Sequence, residues 1–322
     1  MTTKMLFDGD PANDDALAIL LAVGHPDIEL LAVTAVAGHL TVEGTALNSA
    51  IALAAAGAHD VPVAAGAALP LVRDQILAGV LDHDEGLDRR RDDLPAVPLH
   101  RGDGVELMIE TLRAHPGATV VATGPLTNVA LALRKDPGLA RTIGRIVILG
   151  GAWGLGNKSA AAEFNVLCDP EAASVVYGSG ADVVMVPVDA TSTVPIDARL
   201  LARTTQIGGV AADFAAELMR SLRTTHGVGP GPLGAVVDAP LHDPTAVLVA
   251  ADPTLARTVR ARVDIETQGR HTYGRSVVDF AGKSGLEPNA EVVVELDTPR
   301  IHQILIDSLG RLDRSTAKER TA

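Results

Sequence analysis

The stretch LFDGDPANDDALAIL, residues 6–20, leads from an apolar run through a proline-containing turn into a second apolar run. The first run predicts a buried strand, and the second, which ends before Gly24, predicts a helix. Four carboxylates, those of Asp8, Asp10, Asp14 and Asp15, lie within eight residues around the turn. Because like charges this close repel each other, the stretch indicates a strand–turn–helix unit that holds a cation.

The composition limits the classes of protein that the chain can belong to. Apolar residues make up 47% of the 322 residues and aromatic residues only 2%, so we expect an aliphatic core. A net charge of −13 argues against nucleic acid or an anionic membrane as the partner. Cys168 is the only cysteine, which excludes an internal disulfide and a zinc-thiolate site. With no signal peptide or membrane-spanning run expected, we predict a cytoplasmic location.

Short β-branched runs alternate with alanine- and leucine-rich runs along most of the chain. We predict strands at residues 4–7, 28–36, 61–66, 119–123, 145–151, 182–189, 259–267 and 290–296. Continuous apolar strands between helices are typical of a parallel sheet that is covered on both faces. The predicted fold class is α/β, an open, mostly parallel, twisted, Rossmann-like sheet flanked by helices. We expect a single domain over residues 1–311 and a polar C-terminal tail over 312–322.

The acidic cluster falls where ligands bind in such sheets, beyond the carboxyl ends of the strands. Ca²⁺ and Mg²⁺ prefer oxygen ligands, whereas helix capping accounts for only one or two of the aspartates. An EF-hand loop is excluded, since its glycine and glutamate positions are occupied by Asn13 and Ile19. The pair Asp8 and Asp10 also resembles the start of a Mg²⁺-dependent phosphohydrolase with Asp8 as the nucleophile, although Ala12 departs from that pattern.

Three later segments contain further candidates. The turn in ATGPLTNVALAL (122–133) leaves the Thr123 carbonyl available as a Ca²⁺ ligand. The polar residues in GNKSAAAEFNVLCDPEAA (156–173) suit hydrogen bonding to sugar hydroxyls. In PLHDPTAVLVA (240–250), Asp243 offers another metal oxygen, and His242 has a side chain suited to proton donation near neutral pH.

Together these segments resemble the inosine-uridine preferring nucleoside hydrolase family. DGDPANDDA (8–16) is similar to the family's DTDPGIDDA signature, and GPLTN (124–128), AEFN (162–165), DPEAA (169–173) and HDP (242–244) match later motifs in order. The resemblance extends over nearly the whole chain. It implies Ca²⁺-dependent hydrolysis of the N-glycosidic bond of ribonucleosides, on a nucleoside hydrolase fold.

The resemblance also implies a role for each matching residue. The Ca²⁺ ligands would be Asp10, Asp15, the Thr123 carbonyl and Asp243. Asp10 would be the general base for the attacking water, and His242 the general acid at the leaving base.

A further set would bind the substrate. Those that would contact the ribose or the nucleobase are Asp14, His39, His83, Leu149, Asn157, Glu163 and Asn165. The single tryptophan and the scarce tyrosines argue against stacking of a purine, so we expect pyrimidine or mixed inosine and uridine substrates. The family resemblance further implies nucleoside salvage by a homotetramer or homodimer.

Two positions depart from the family pattern. Gly9 replaces the threonine of the signature, which predicts a looser turn. His39 occupies a position where the family usually has an asparagine that contacts ribose and aspartate. A cationic His39 would weaken Ca²⁺ binding, so a non-catalytic or altered-substrate nucleoside-binding homologue is the alternative function.

Overall fold

The computed structural model describes residues 2–76, 87, 94, 96–225, 229–230 and 236–319. Its strands, in chain order, are β1 (Thr3–Gly9), β2 (Ile28–Ala35), β3 (Val63–Ala65), β4 (Thr119–Ala122), β5 (Arg145–Leu149), β6 (Val183–Val186), β7 (Gly229–Pro230), β8 (Val236–Val237), β9 (Ala256–Ile265), β10 (Ser276–Asp279) and β11 (Ala290–Leu296). Strands β7 and β8 form a separate antiparallel pair, and the other nine form one sheet.

The helices cover both faces of this sheet. They are α1 (Asn13–Gly24), α2 (Val42–Ala55), α3 (Gly104–Ala114), α4 (Thr127–Lys135), α5 (Leu139–Thr142), α6 (Phe164–Cys168), α7 (Pro170–Tyr177), α8 (Val188–Thr191), α9 (Ala198–Ile207), α10 (Val210–Thr225), α11 (Asp243–Ala251) and α12 (Thr298–Glu319). A 3-10 turn over Pro253–Leu255 joins α11 to β9. Among the described residues, no helix is long and apolar enough to cross a membrane.

The strand order places a crevice beside β1. The order across the sheet is β10-β9-β11-β6-β5-β4-β1-β2-β3, and every neighbouring pair is parallel except the two that include β9. The chain winds outward from β1 toward β3 in one direction and from β4 toward β6 in the other. The order therefore reverses between β1 and β4, and such a switch point opens a crevice at the carboxyl ends of the two strands.

Alternating side chains of the central strands pack into two separate cores. Met5 and Phe7 of β1 join the core under α1, α2, α10, α11 and α12, while Leu6 faces the opposite core under α3, α4 and α7. All three side chains are fully buried. A strand between two helical layers must be apolar on both faces, which is why β1 lacks alternation with polar residues. The predicted fold class is confirmed, as a single α/β domain.

Several predicted boundaries differ from the structure. Helix α9 was not predicted from the sequence, and Gly208 and Gly209, with φ values of 68° and 106°, separate it from α10. Strand β10 was not predicted from the sequence. Helix α12 continues to Glu319, past the predicted start of the tail at residue 312, and the domain boundary itself stays a prediction.

A buried polar network fixes the start of the crevice. Asp8 Oδ1 accepts hydrogen bonds from Thr34 Oγ1 at 2.6 Å and from Asn128 Nδ2 at 2.8 Å. Asn128 Nδ2 also donates to the Ala35 carbonyl, and its Oδ1 accepts from the Ala67 backbone N–H. One amide thus connects β1, β2 and the loop after β3. Burial raises the pKa of Asp8 to about 7, although the bonds from Asn128 and Thr34 oppose the shift.

We predict that Asn128→Ala lowers the free energy of unfolding by about 2–4 kcal/mol, because it removes one of the two donors to the buried Asp8 carboxyl and leaves the Ala67 backbone N–H without its partner. Chemical denaturation would measure the change. Gln268→Ala, at an exposed amide, is the control and should change the stability by less than about 0.5 kcal/mol. Equal effects of the two substitutions would contradict the role of this network.

Candidate active site

The crevice between β1 and β4 collects the carboxylates of three segments. Asp10 lies just beyond β1, Asp14 and Asp15 lie in the first turn of α1, and Asp243 is the first residue of α11. Carboxylate oxygens of Asp14, Asp15 and Asp243 lie within 4.8 Å of one another, and so do ligand atoms of Asp10, Asp15 and His39. The structure therefore brings together the aspartates that the sequence placed far apart.

Asp10 and His39 form the closest charged pair in this group. Asp10 Oδ2 accepts from the backbone N–H of His39 at 2.7 Å and lies 2.8 Å from its Nδ1. Burial disfavours the charged imidazole, but the Asp10 carboxylate outweighs it, helped by Asp14 and Asp15, and raises the pKa of His39 to about 10. The other oxygen, Asp10 Oδ1, is buried and has no hydrogen-bond partner among the described residues.

The carboxylates of Asp15 and Asp243 are destabilised as anions. Burial, and then the charges of Asp10 and Asp14, raise the pKa of Asp15 well above that of an ordinary aspartate. Burial and the charges of Asp14, Asp15 and Asp10 do the same to the pKa of Asp243, which also hydrogen bonds to Asp14. Such a group binds either protons or a cation.

Thr123 connects the cluster to the polar segment that follows β5. Its hydroxyl donates to Asp15 Oδ1 at 2.6 Å, and its carbonyl accepts from Asn165 Nδ2 at 2.7 Å. The same Asn165 amide group lies 3.2 Å from the carbonyl of Leu149, the last residue of β5, whose own side chain is buried. Asn165 Oδ1 is buried without a partner among the described residues. It is therefore an acceptor that a hydroxyl of a ligand could use.

Two of the predicted ribose ligands stabilise their own loop. Glu163 caps α6 and accepts from the backbone N–H groups of Gly151, Asn165 and Val166. Burial raises its pKa, which these bonds counteract. Asn157 Oδ1 accepts from the Phe164 N–H at 2.9 Å. These side chains lie near the crevice, and their oxygens accept hydrogen bonds from backbone N–H groups. Their contact with a sugar therefore stays a prediction.

His242 is the residue that precedes α11, immediately before Asp243. Its Nδ1 lies 2.5 Å from Thr191 Oγ1, at the end of α8. The pairing could not be derived from the sequence, because the two residues are 51 positions apart. The other predicted histidine of the substrate set, His83, lies outside the described residues.

Three glycines leave room for the acidic groups. A Cβ atom at Gly124 would lie 2.7 Å from Asp10 Oδ1, and one at Gly38 would overlap Asp10 Oδ2. Gly9 is the third of these glycines, and the looser turn predicted there stays a prediction. A Cβ there would lie 2.6 Å from Asp15 Oδ1 and 2.7 Å from Thr123 Oγ1, so the position is already filled by the side chains around it.

These residues fit a hard divalent cation. The buried, unpartnered Asp10 Oδ1, the clustered carboxylates of Asp15 and Asp243 and the nearby Thr123 carbonyl supply oxygen ligands only. A cation would also offset the mutual repulsion that raises the pKa values of Asp15 and Asp243. The structure thus contains an aspartate-rich potential metal site, and the identity of the metal is a separate question.

Comparison with known proteins places this site in a family. The sequence model of the inosine-uridine preferring nucleoside hydrolase family matches residues 5–303. The pyrimidine-specific ribonucleoside hydrolase RihA of Citrobacter koseri is 42% identical over 311 residues, covering 96% of this chain and 99% of that relative. Its counterpart in Salmonella agona is 40% identical over 310 residues, with the same coverage of both chains, 96% and 99%.

Solved structures agree with these matches. The purine-preferring ribonucleoside hydrolase from Gardnerella vaginalis superposes with a TM-score of 0.84 at 28% identity, covering 97% of this chain and 100% of that chain. An inosine-guanosine nucleoside hydrolase also gives a TM-score of 0.84, at 29% identity, with 96% and 99% coverage.

We predict that Ca²⁺ raises the thermal unfolding temperature, and that the increase is larger near pH 8 than near pH 5. The pKa values of Asp15 and Asp243 are raised, so the cation-free folded chain binds protons that the unfolded chain releases. Its stability therefore falls as pH rises above the ordinary aspartate pKa of 3.8 toward the raised values. A bound cation removes this penalty. Thermal scans with Ca²⁺ and with a chelator would measure it.

Asp243→Asn tests whether the effect comes from this cluster, and it should abolish most of the response to Ca²⁺. Asp252→Asn, at the opposite end of α11, is the matched control and should keep the full response. A Ca²⁺ response that persists in Asp243→Asn would place the cation elsewhere.

Proposed function

We infer that this chain, which belongs to the inosine-uridine preferring nucleoside hydrolase family, is a Ca²⁺-dependent enzyme that cleaves uridine and related pyrimidine ribonucleosides, with inosine as a second substrate. Family membership makes it a hydrolase of N-glycosyl bonds. The metal, the substrate and the residue roles are the proposal. The observation that carries it is the convergence of Asp10, Asp15, Asp243 and the Thr123 carbonyl on one crevice beside His242.

In this proposal Asp10, Asp15, Asp243 and the Thr123 carbonyl hold the Ca²⁺ ion. When bound, the cation lowers the pKa of a coordinated water and orients the hydroxyls of the ribose. Asp10 Oδ2 is hydrogen bonded to His39, and the buried Asp10 Oδ1 is the atom available for a ligand. Asp14 is partly exposed beside Asp15 and Asp243, where it can accept from a ribose hydroxyl.

The chemical step needs one acid and one base. The bond between C1′ of ribose and the base nitrogen breaks, and its electron pair leaves with the base, which takes a proton from His242. Water adds to C1′ and loses a proton to Asp10, so the products are free base and ribose. Positive charge develops on the sugar in the transition state, and the surrounding carboxylates stabilise it. A positioned acid contributes about 10²–10⁴-fold to the rate.

The phosphohydrolase alternative has less support. Its nucleophile would be Asp8, which is fully buried and already bonded through Oδ1 to Thr34 and Asn128. The family model that matches residues 5–303 is that of a nucleoside hydrolase, which supports the glycosidic reaction instead. The non-catalytic alternative rests on His39 and is an outcome of the following experiment.

We predict that the protein releases ribose from uridine and inosine with Ca²⁺, that chelation abolishes the release, and that Asp10→Ala lowers it by at least about 100-fold. A reducing-sugar assay would measure the product. Asp60→Ala, at an exposed aspartate, is the control and should keep full activity. Nucleoside binding without ribose release would contradict catalysis and support the alternative in which His39 has changed the function.

We also predict that uridine is cleaved faster than adenosine or guanosine. Two relatives at 42% and 40% identity are named pyrimidine-specific, whereas the purine-preferring structural neighbour is 28% identical. The chain has a single tryptophan, Trp153, and its ring packs in a T-shaped contact with the ring of Phe280, with the centroids 5.8 Å apart. Initial rates with the three nucleosides would test the preference, and much faster cleavage of adenosine or guanosine would refute it.

Three further expectations belong to the proposal. Nucleoside salvage and a homotetramer or homodimer follow from the family resemblance, and the cytoplasmic location stays a prediction. The proposed substrate set remains Asp14, His39, His83, Leu149, Asn157, Glu163 and Asn165. Light scattering of the purified protein would decide the oligomeric state.

A further inference from the structure

The backbone on both sides of His242 is held by neighbouring segments. The Leu241 N–H donates to the Val194 carbonyl at 2.8 Å, and the Leu241 carbonyl accepts from Thr245 Oγ1 at 2.5 Å. The His242 carbonyl accepts from the Thr245 N–H at 3.1 Å. With the backbone fixed, the orientation of the imidazole depends on its side-chain torsions and on the group that it contacts.

Thr191 is that group on the Nδ1 side of the ring. Its side chain is fully buried, and its Oγ1 lies 2.5 Å from His242 Nδ1. The backbone of Thr191 is itself fixed, since its N–H donates to the Pro187 carbonyl and its carbonyl accepts from the Val194 N–H. Val194 thus hydrogen bonds to both segments, through its N–H to Thr191 and through its carbonyl to Leu241. The backbones that carry the Thr191 and His242 side chains are therefore fixed relative to each other.

Thr191 Oγ1 lies much closer to His242 than to the backbone of its own helix. The distance is 2.5 Å to Nδ1 and 3.5 Å to the Pro187 carbonyl. A histidine that acts as an acid carries a proton on each ring nitrogen, and a hydroxyl oxygen can accept the proton of Nδ1. With Nδ1 held by Thr191, Nε2 is the nitrogen that exchanges a proton with a substrate.

We propose that Thr191 is a positioning residue for the reaction: it holds the His242 imidazole in the orientation in which Nε2 delivers a proton to the departing base. The assignment rests on the proposed function, because it gives a task to His242 acting as the acid. Thr191 touches neither the substrate nor the carboxylate cluster in this scheme and acts only through His242.

The proposal predicts a dependence on the leaving group. Uracil departs with difficulty as an anion, so its release gains from the proton of a correctly oriented acid. A 4-nitrophenolate group departs without protonation. Loss of Thr191 should therefore slow the cleavage of uridine and leave the cleavage of 4-nitrophenyl β-D-ribofuranoside nearly unchanged. A general loss of folding or of metal binding would slow both substrates together.

The experiment compares Thr191→Val, Thr191→Ser and a matched control on both substrates with saturating Ca²⁺. Thr204→Val is the control, because Thr204 is equally buried and its hydroxyl also bonds to the carbonyl four residues earlier, at Leu200. We expect Thr191→Val to lower kcat for uridine by about tenfold or more with little change in KM. Thr191→Ser, which keeps the hydroxyl, should restore most of the rate, and Thr204→Val should retain it.

Two outcomes would overturn the proposal. Equal losses on uridine and the nitrophenyl riboside in Thr191→Val would show that Thr191 has only a structural role. An unchanged rate with uridine would show that His242 needs no such support. Failure of the underlying function looks different, since wild-type protein would then release ribose from neither substrate.

Discussion

Repulsion among buried carboxylates is the constraint on which the centre of this molecule depends. Asp8, Asp10, Asp15 and Asp243 are each at most 2% exposed, and they lie around one end of β1. Anions removed from water in this way are unstable unless protons, hydrogen-bond donors or cations compensate them. The local fold compensates the negative charges of these four aspartates in different ways and to different extents. This explains why so many polar side chains are buried at the crevice.

The compensations divide the cluster into a structural part and a part that is left available. Asp8 bonds to Thr34 and Asn128 and helps to join three strand ends. Asp15 accepts a hydrogen bond from the Thr123 hydroxyl. Its pKa is nevertheless raised, because burial and its acidic neighbours outweigh the effect of this one hydrogen bond. Asp243 shares a hydrogen bond with Asp14 and remains destabilised. The site is therefore a preformed set of oxygens that gains stability when a cation replaces protons.

The sequence predicts this arrangement where the information is local. Apolar runs of five or more residues between helices indicate parallel strands, and strand ends followed by Asp8–Asp15 and by Thr123–Asn128 indicate the loops of the site. The strand order is not local, and neither is the neighbourhood of β1 and β4 that creates the crevice. The contact of Thr191 with His242 depends on the packing of α8 against the start of α11, and no spacing in the chain encodes it. The crowding around Gly9 could not be predicted either, because the volume around a glycine is a tertiary property.

His39 shows how a departure from the family pattern can be compatible with the same chemistry. A cationic histidine next to Asp10 competes with a metal only if both need the same atom. In the structure the backbone N–H of His39 donates to Asp10 Oδ2, and Nδ1 of His39 lies 2.8 Å from the same oxygen. Asp10 Oδ1 is buried and has no hydrogen-bond partner among the described residues. The two oxygens can thus serve the histidine and the cation separately. The imidazolium lowers the negative charge at the site and weakens the attraction for the cation to that extent. Its ring also packs against the ring of Phe164, tilted by 40° with the centroids 4.7 Å apart, and this contact helps to fix the imidazole beside Asp10.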